Sequence, residues 1–175
     1  MDYDHLEDRT IIMSEVMTPE KANFAGNIHG GYLLSLLDKV AYACAARYSG
    51  HYVVTLSVDG VIFKEPIHVG ELVICLACVN YVGHTSMEIG IKVIAENLRT
   101  HQQRHTNSCF FTLIAVDTNL RPTAVKPLVL HNTTQKRRFE EAKLRKEMRL
   151  KFEVEHNKRK SELKIEPSFS KDQHE

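Results

Sequence analysis

Apolar positions along this chain change their spacing near residue 50, and the change predicts two kinds of element. From Tyr32 to about Tyr48 the run YLLSLLDKVAYACAARY holds helix formers and neither proline nor glycine, and Ser49-Gly50 supplies a stop. Leu33, Leu34, Leu36, Leu37, Val40, Ala41, Cys44 and Ala45 cover most directions around that helix, which predicts a helix enclosed by the rest of the fold. Beyond it, segments 52–63, 71–82, 86–97 and 106–117 are rich in Val, Ile, Thr and Phe, as strands are. Lys64–Gly70 with Pro66, then Gly83-His84, then a polar stretch from Leu98 to His105 separate them. One buried helix followed by four long strands predicts an α+β fold, with a curved antiparallel sheet wrapped around the helix.

The ends follow another pattern. A short opening segment closes at Pro19, and Asn23–Gly31 is a loop with glycines at 26, 30 and 31. Residues 1–133 form the expected domain, closed by Arg121-Pro122 and Lys126-Pro127. Residues 134–164 are charged and helix-prone, and Phe139, Ala142, Leu144, Met148 and Phe152 make only a ragged stripe, which predicts a loosely docked or solvated helix. Residues 165–175 are expected to be disordered.

Composition narrows the class. A chain of 175 residues with 43% apolar and 26% charged side chains has room for a core and no signature of disorder. The acidic opening MDYDHLEDRT lacks the positive start of a signal peptide, and no apolar run approaches the roughly 20 residues of a membrane span. Four cysteines are too few for a disulfide framework at this length, so a cytoplasmic address is expected. The net charge of +1 hides an asymmetry. Residues 1–135 carry 10 basic and 13 acidic side chains (−3), while residues 136–164 carry 12 and 6 (+6). Without interleaved aromatics the basic stretch predicts a solvated helix, and no nucleic-acid partner is expected.

The most informative residue is Asp38, which shares a helical face with Leu34 and Ala41. A carboxylate there is costly unless it is paired or used. It is either a general base or nucleophile, or a structural partner of Lys39, Tyr42 or another helix. Paired glycines at a helix start, Gly30-Gly31, make either a tight turn or a place where free N–H groups meet developing negative charge. His29 is a candidate base or a backbone partner. Asp38 lies about 10 Å along the axis from Gly31, so one helix cannot easily bring both features to one carbonyl. An antiparallel copy can, which predicts a site shared between two subunits. Cys75 and Cys78 have metal-like spacing, yet in a strand they point to opposite faces, so no metal is expected. No G-x-S-x-G elbow, P-loop or G-x-G-x-x-G is present.

Several stretches together are specific. Ala22-Asn23-x-x-Gly26-Asn27-Ile28-His29-Gly30-Gly31, Leu37-Asp38-Lys39-Val40-Ala41, Ser57-Val58-Asp59-x-x-x-Phe63 and Pro66-Ile67-x-Val69-Gly70 resemble the hotdog-fold acyl-CoA thioesterases. Gly83-x-Thr85-Ser86-Met87-Glu88 and Cys109-Phe110-Phe111-Thr112 continue the match, which covers about residues 10–130. The resemblance implies a long helix wrapped by a sheet, protomers that join their sheets into dimers, and a trimer of dimers, a homohexamer. It implies hydrolysis of fatty acyl-CoA to free acid and CoA, with no cofactor beyond the CoA of substrate and product, and no membrane insertion. The implied catalytic pair falls on Asn23 and on Asp38 of the partner protomer, with His29, Gly30 and Gly31 around the oxyanion. Lys64, Gly83, Thr85 and Ser86 are the candidates for CoA contact. The alternatives are a hotdog hydratase-dehydratase, with His29 as base and Asp38 as acid, and a non-catalytic acyl-CoA-binding regulator.

Overall fold

A helix over Gly30–Ser49 (α1) runs through the centre of the computed structural model, which describes residues 7–162. Gly50 ends it in the left-handed region, at φ 71°, where its N–H caps the Ala46 carbonyl. Five strands follow the chain as β1 (Thr10–Val16), β2 (Tyr52–Val58), β3 (Leu72–Val82), β4 (Ser86–Glu96) and β5 (Gln103–Val116). They form one antiparallel sheet in the order β1-β3-β4-β5-β2, curled around α1.

Period-two alternation decides which side chains meet the helix. Val73, Cys75, Ala77 and Val79 of β3, Met87, Ile89, Ile91 and Val93 of β4, and Cys109, Phe111, Leu113 and Ala115 of β5 are buried. With Leu33, Leu37, Val40, Ala41 and Cys44 of α1 they make one continuous core. The fold expected from the sequence is therefore present, with differences at its edges. The opening segment is a strand, β1, whose Ile11 and Met13 rest on the core while Ile12 points away. β2 stops at Val58 instead of continuing to residue 63, because its last rung is the Asp59 N–H to Phe110 carbonyl bond and the chain then leaves the sheet. β5 starts within the stretch expected as a polar connection, since Gln103 and Arg104 pair with the carboxylates of Glu96 and Glu71.

Nor is α1 enclosed all round. Leu34, Asp38 and Tyr42, four residues apart and so on one face, form a stripe that the chain's own sheet leaves open; Leu34 is 38% and Tyr42 40% exposed. β2 continues that opening: Tyr52, Val54, Leu56 and Val58 are all exposed along an edge of the sheet.

A second helix, α2 (Thr133–Glu162), crosses the outer face of the sheet. Its first half is docked rather than solvated. Ala142 is buried, Phe139 meets Tyr81 at 5.0 Å, and Arg145 forms a two-pronged ion pair with Glu88 at 3.1 and 2.7 Å. Beyond Leu150 its described side chains are exposed. The expected disordered stretch, 165–175, lies outside the described residues.

Leu37 has no exposed surface and no polar neighbour on its face of α1, so Leu37→Ala removes contacts the core cannot easily close over. Denaturant unfolding should show a loss of about 2–5 kcal/mol, and a loss below 1 kcal/mol would mean the helix is not the centre of the core.

Candidate active site

Three polar side chains hold the start of α1 in place. Glu15 on β1 accepts from Lys21 Nζ at 2.5 Å and from the Tyr32 hydroxyl at 2.6 Å. Those two hydrogen bonds, Lys21 first, hold the Glu15 carboxyl below the usual range, while burial raises the Tyr32 hydroxyl. The loop between Lys21 and Tyr32 is thus pinned at both ends. Inside it, Asn23 Oδ1 accepts from the N–H groups of Ala25 and Asn27 at 2.9 and 3.2 Å. Two backbone donors on Oδ1 leave the Asn23 Nδ2 as a hydrogen-bond donor facing away from them. Asn27 is engaged differently: its Oδ1 lies 2.9 Å from His68 Nδ1, tying the loop to the approach to β3.

His29 is the N-cap of α1, its Nδ1 accepting from the Gly31 N–H at 2.9 Å. That role uses the ring nitrogen a base would need, and it also occupies one of the two glycine N–H groups proposed from sequence for an oxyanion. Helix geometry leaves the N–H groups of Gly30 and Tyr32 without intrahelical acceptors. A Cβ at Gly30 would make ordinary contact with the Phe63 ring at 3.4 Å, whereas one at Gly31 would crowd the His29 ring at 3.0 Å.

Asp38 lies two turns further along. Its Oδ1 accepts from the Thr55 hydroxyl at 2.8 Å. Thr55 sits where the β2–β5 register slips between Thr55 and Ser57, a bulge that re-aims side chains. It was not among the residues singled out from sequence, although a threonine two residues after the inward Val53 is an inward polar position. Asp38 is half-buried rather than enclosed. It stands on the wall of a cavity of about 470 Å³ whose other lining is mostly apolar: Leu34, Val58, Val61, Phe63 and Phe111. A larger cavity, about 530 Å³, lies between α2 and the outer face of the sheet, where Arg137, Arg138, Lys92 and Glu141 line it. Its one carboxylate, Glu141, is paired with Arg137 at 2.6 Å, whereas the smaller cavity sets Asp38 in a mostly apolar wall, so the smaller cavity is the candidate site.

The remaining candidates stand apart from this centre. Gly83, Thr85 and Ser86 form the β3–β4 turn, where the Gly83 N–H meets the Ser86 carbonyl and Lys146 of α2 approaches. The register sets Ser86 opposite Ile114, and Ile114 opposite Val54, two strands across from β2. Lys64 is exposed just beyond Phe63, its N–H bonded to the Thr106 carbonyl. Burial pushes the thiols of Cys44, Cys75 and Cys109 up to about 12, so none of the three supplies a thiolate nucleophile near neutral pH. Among the described residues no group of three or more His, Cys, Asp or Glu side chains is placed to hold a metal ion. Among them, too, no helix is long and apolar enough to cross a membrane.

With this geometry in hand, similarity to known proteins is informative. Residues 25–101 match the model of the thioesterase superfamily. Protein VdlD of Helicobacter pylori is 52% identical over 143 residues, which span 81% of this chain and 82% of that protein. An uncharacterised acyl-CoA thioester hydrolase of Bacillus subtilis, YkhA, is 32% identical over 139 residues, or 75% and 81% of the two chains. Among solved structures, an apo hexameric acyl-CoA thioesterase superposes with a TM-score of 0.78 at 34% identity, covering 81% of this chain and 91% of that one.

The pinning of α1 carries a pH signature. Because Glu15 titrates lower folded than unfolded, its stabilising contribution is full above about pH 4.3 and disappears as pH falls through its folded value. The gap in melting temperature between wild type and Glu15→Gln should therefore be constant from pH 7 to about 4.3 and narrow as pH falls further toward 3. A gap that stays constant across the whole span would show that Glu15 is not held by Lys21 and Tyr32.

Proposed function

This chain belongs to the thioesterase superfamily, and from that premise we propose how its site works. It is an acyl-CoA hydrolase, cleaving the thioester of fatty acyl-CoA to free acid and CoA. The observation that carries the site assignment is Asp38, held by Thr55 on the wall of a mostly apolar cavity. Thioester hydrolysis asks little of a protein. The leaving thiol ordinarily titrates near pH 8.5, so its departure needs no strong acid. What is needed is one base for water and donors for the oxyanion.

Thr55 donates to Oδ1 of Asp38, which leaves Oδ2 to take a proton from water as the water oxygen attacks the thioester carbonyl carbon. Negative charge then collects on the carbonyl oxygen. Asn23 Nδ2 and the Gly30 N–H meet it, and Gly31 can join only where His29 gives up its cap. Collapse of the tetrahedral adduct breaks the carbon–sulfur bond, and the thiolate takes the proton that Asp38 had accepted from water, which regenerates the carboxylate. Leu34, Val61, Phe63 and Phe111 are suited to an acyl chain. Lys64 and the turn Gly83–Ser86 with Lys146 are the proposed contacts for the CoA portion.

One rigid helix separates the Gly30-Gly31 turn from Asp38 by about 10 Å, too far for both to act on one carbonyl. The reading therefore needs a second copy, whose α1 runs antiparallel and presents its Asp38 to the first copy's Asn23 and Gly30. The exposed Leu34–Asp38–Tyr42 stripe and the apolar edge of β2 support such a dimer, since an uncovered apolar edge is a pairing surface. Trimerisation of that dimer is proposed by likeness to the hexameric relative, and no cofactor is invoked.

Asp38→Ala should lower kcat by about two orders of magnitude or more, and Asn23→Ala should also cripple turnover, while Asn27→Ala does less. Mixing the two inactive proteins, Asn23→Ala and Asp38→Ala, with dissociation and reassembly tests the sharing directly. Random pairing makes about half the dimers mixed, each with one doubly defective site and one intact site, so about a quarter of wild-type activity should return. If mass spectrometry confirms heterodimers and no activity returns, each site is built within one chain.

A further inference from the structure

The wall of the Asp38 cavity is held from the far side of the sheet. After Val58 the chain leaves β2, and Val58, Asp59, Gly60, Val61 and Phe63 line the cavity. Two backbone bonds bracket this segment: Asp59 N–H to the Phe110 carbonyl at 2.9 Å, and Lys64 N–H to the Thr106 carbonyl at 3.2 Å. Between them lies one side-chain tether, Asp59 Oδ1 accepting from Arg149 Nη1 at 2.8 Å. Arg149 belongs to α2, ninety residues further along the chain.

Arg149 acts from a fixed platform. One turn earlier, Arg145 grips the buried Glu88 and lies 3.6 Å over the Phe110 ring. Phe110 is also the residue whose carbonyl holds the Asp59 N–H, so both arginines bear on the same end of β2. The Arg149–Asp59 pair is partly exposed, at 27% and 24%, whereas Glu88 is 4% exposed, so losing Arg149 should disturb the fold less than losing Arg145.

We propose that Arg149 is a positioning residue for the acyl pocket: through Asp59 it holds the segment 58–63 against the cavity and so sets its width, making α2 part of substrate selection. This rests on the reading of that cavity as the acyl site. Arg149 touches no reacting atom, so its loss should appear in KM and in chain-length preference, with kcat spared.

The test is steady-state hydrolysis of acyl-CoAs from acetyl to palmitoyl by full-length wild type, Arg149→Ala, Arg149→Lys, Asp59→Asn and the Arg149→Ala/Asp59→Asn double variant. Arg149→Ala should raise KM roughly tenfold for the longest chain the wild type cleaves well, the scale of a disturbed apolar contact. For acetyl-CoA the rise should stay below about twofold, with kcat little changed. Lysine at 149 should restore part of the loss, and the double variant should be no worse than the worse single one, because both act through one contact. Asp59→Asn reads the same tether without altering α2, and because Asp59 also lines the cavity, Arg149→Lys decides the matter if Arg149→Ala misfolds. An unchanged KM profile in both single variants, a rise equal for all chain lengths, or additive losses in the double variant would overturn the proposal. A wild type that cleaves no acyl-CoA would sink the hydrolase reading as well, whereas an active wild type with unaltered variants sinks only the role of Arg149.

Discussion

α1 acts as a rigid ruler, and the rest of the molecule is arranged around that. Its buried face (Leu33, Leu37, Val40, Ala41, Cys44) fixes how the helix is turned inside the sheet. Once that rotation is set, Leu34, Asp38 and Tyr42 have only one direction in which to point, the side the sheet leaves open. The core therefore aims the carboxylate, and β2 meets it there with the Thr55 hydroxyl. At the other end, Glu15, Lys21 and Tyr32 fix where the helix begins, and with it the free N–H groups. Neither end can move along the axis without dragging the other, which is why the distance between donors and carboxylate is a property of the fold and not of a side-chain rotamer.

The two faces of the sheet solve different problems. The inner face is apolar and close-packed against α1, while the outer face beneath α2 buries Glu88, Asn80 and Thr112. A carboxylate in such a place costs several kcal/mol unless it is paired, and Arg145 pairs it with two hydrogen bonds. The satisfaction is incomplete: Ser57 Oγ, Thr112 Oγ1 and Asp59 Oδ2 are buried without a hydrogen-bond partner, and the sheet register sets Ser57 opposite Thr112. That strip of unsatisfied polar atoms runs along the end of β2, between α2 and the cavity, where the chain departs from regular structure.

The central helix and four of the five strands are legible in the sequence, β2 and β5 with shifted ends, because their residues are rich in Val, Ile, Thr and Phe and turn signals separate them. Asp38 stood out as a carboxylate among leucines. Other features were hidden for physical reasons. β1 mixes Thr, Ser and Glu with apolar residues because it is an edge strand, and only its Ile11 and Met13 rest on the core. The open stripe of α1 was misread as enclosed because Leu34 and Tyr42 are as apolar as the residues that do face the core. For α2, the apolar stripe is Phe139, Ala142, Leu144, Met148 and Phe152, whereas the helix docks through Phe139, Ala142, Arg145 and Arg149. Two of those four contacts are ion pairs with residues more than fifty positions away, and nothing local in the sequence marks them. The cap formed by His29 was visible as a backbone-partner reading, and that reading is the one the geometry bears out.

In the proposed dimer, association and chemistry would use the same surface. Leu34 and Tyr42 flank Asp38 on α1, and Tyr42 stacks edge-on against Tyr52 at the start of β2, 5.9 Å between ring centres. An apolar patch that covers itself by pairing would bury these residues and, in the same step, enclose a half-exposed carboxylate. Water exclusion strengthens hydrogen bonds to a developing oxyanion, because the effective dielectric falls. A free protomer would hold Asp38 beside bulk water and about 10 Å from the donors at the start of its own helix. With the acid two turns along the helix from the donors, the unpaired chain would, on the proposed reading, be a poor hydrolase, and the exposed β2 edge would be the cost that the separate chain bears for that dependence.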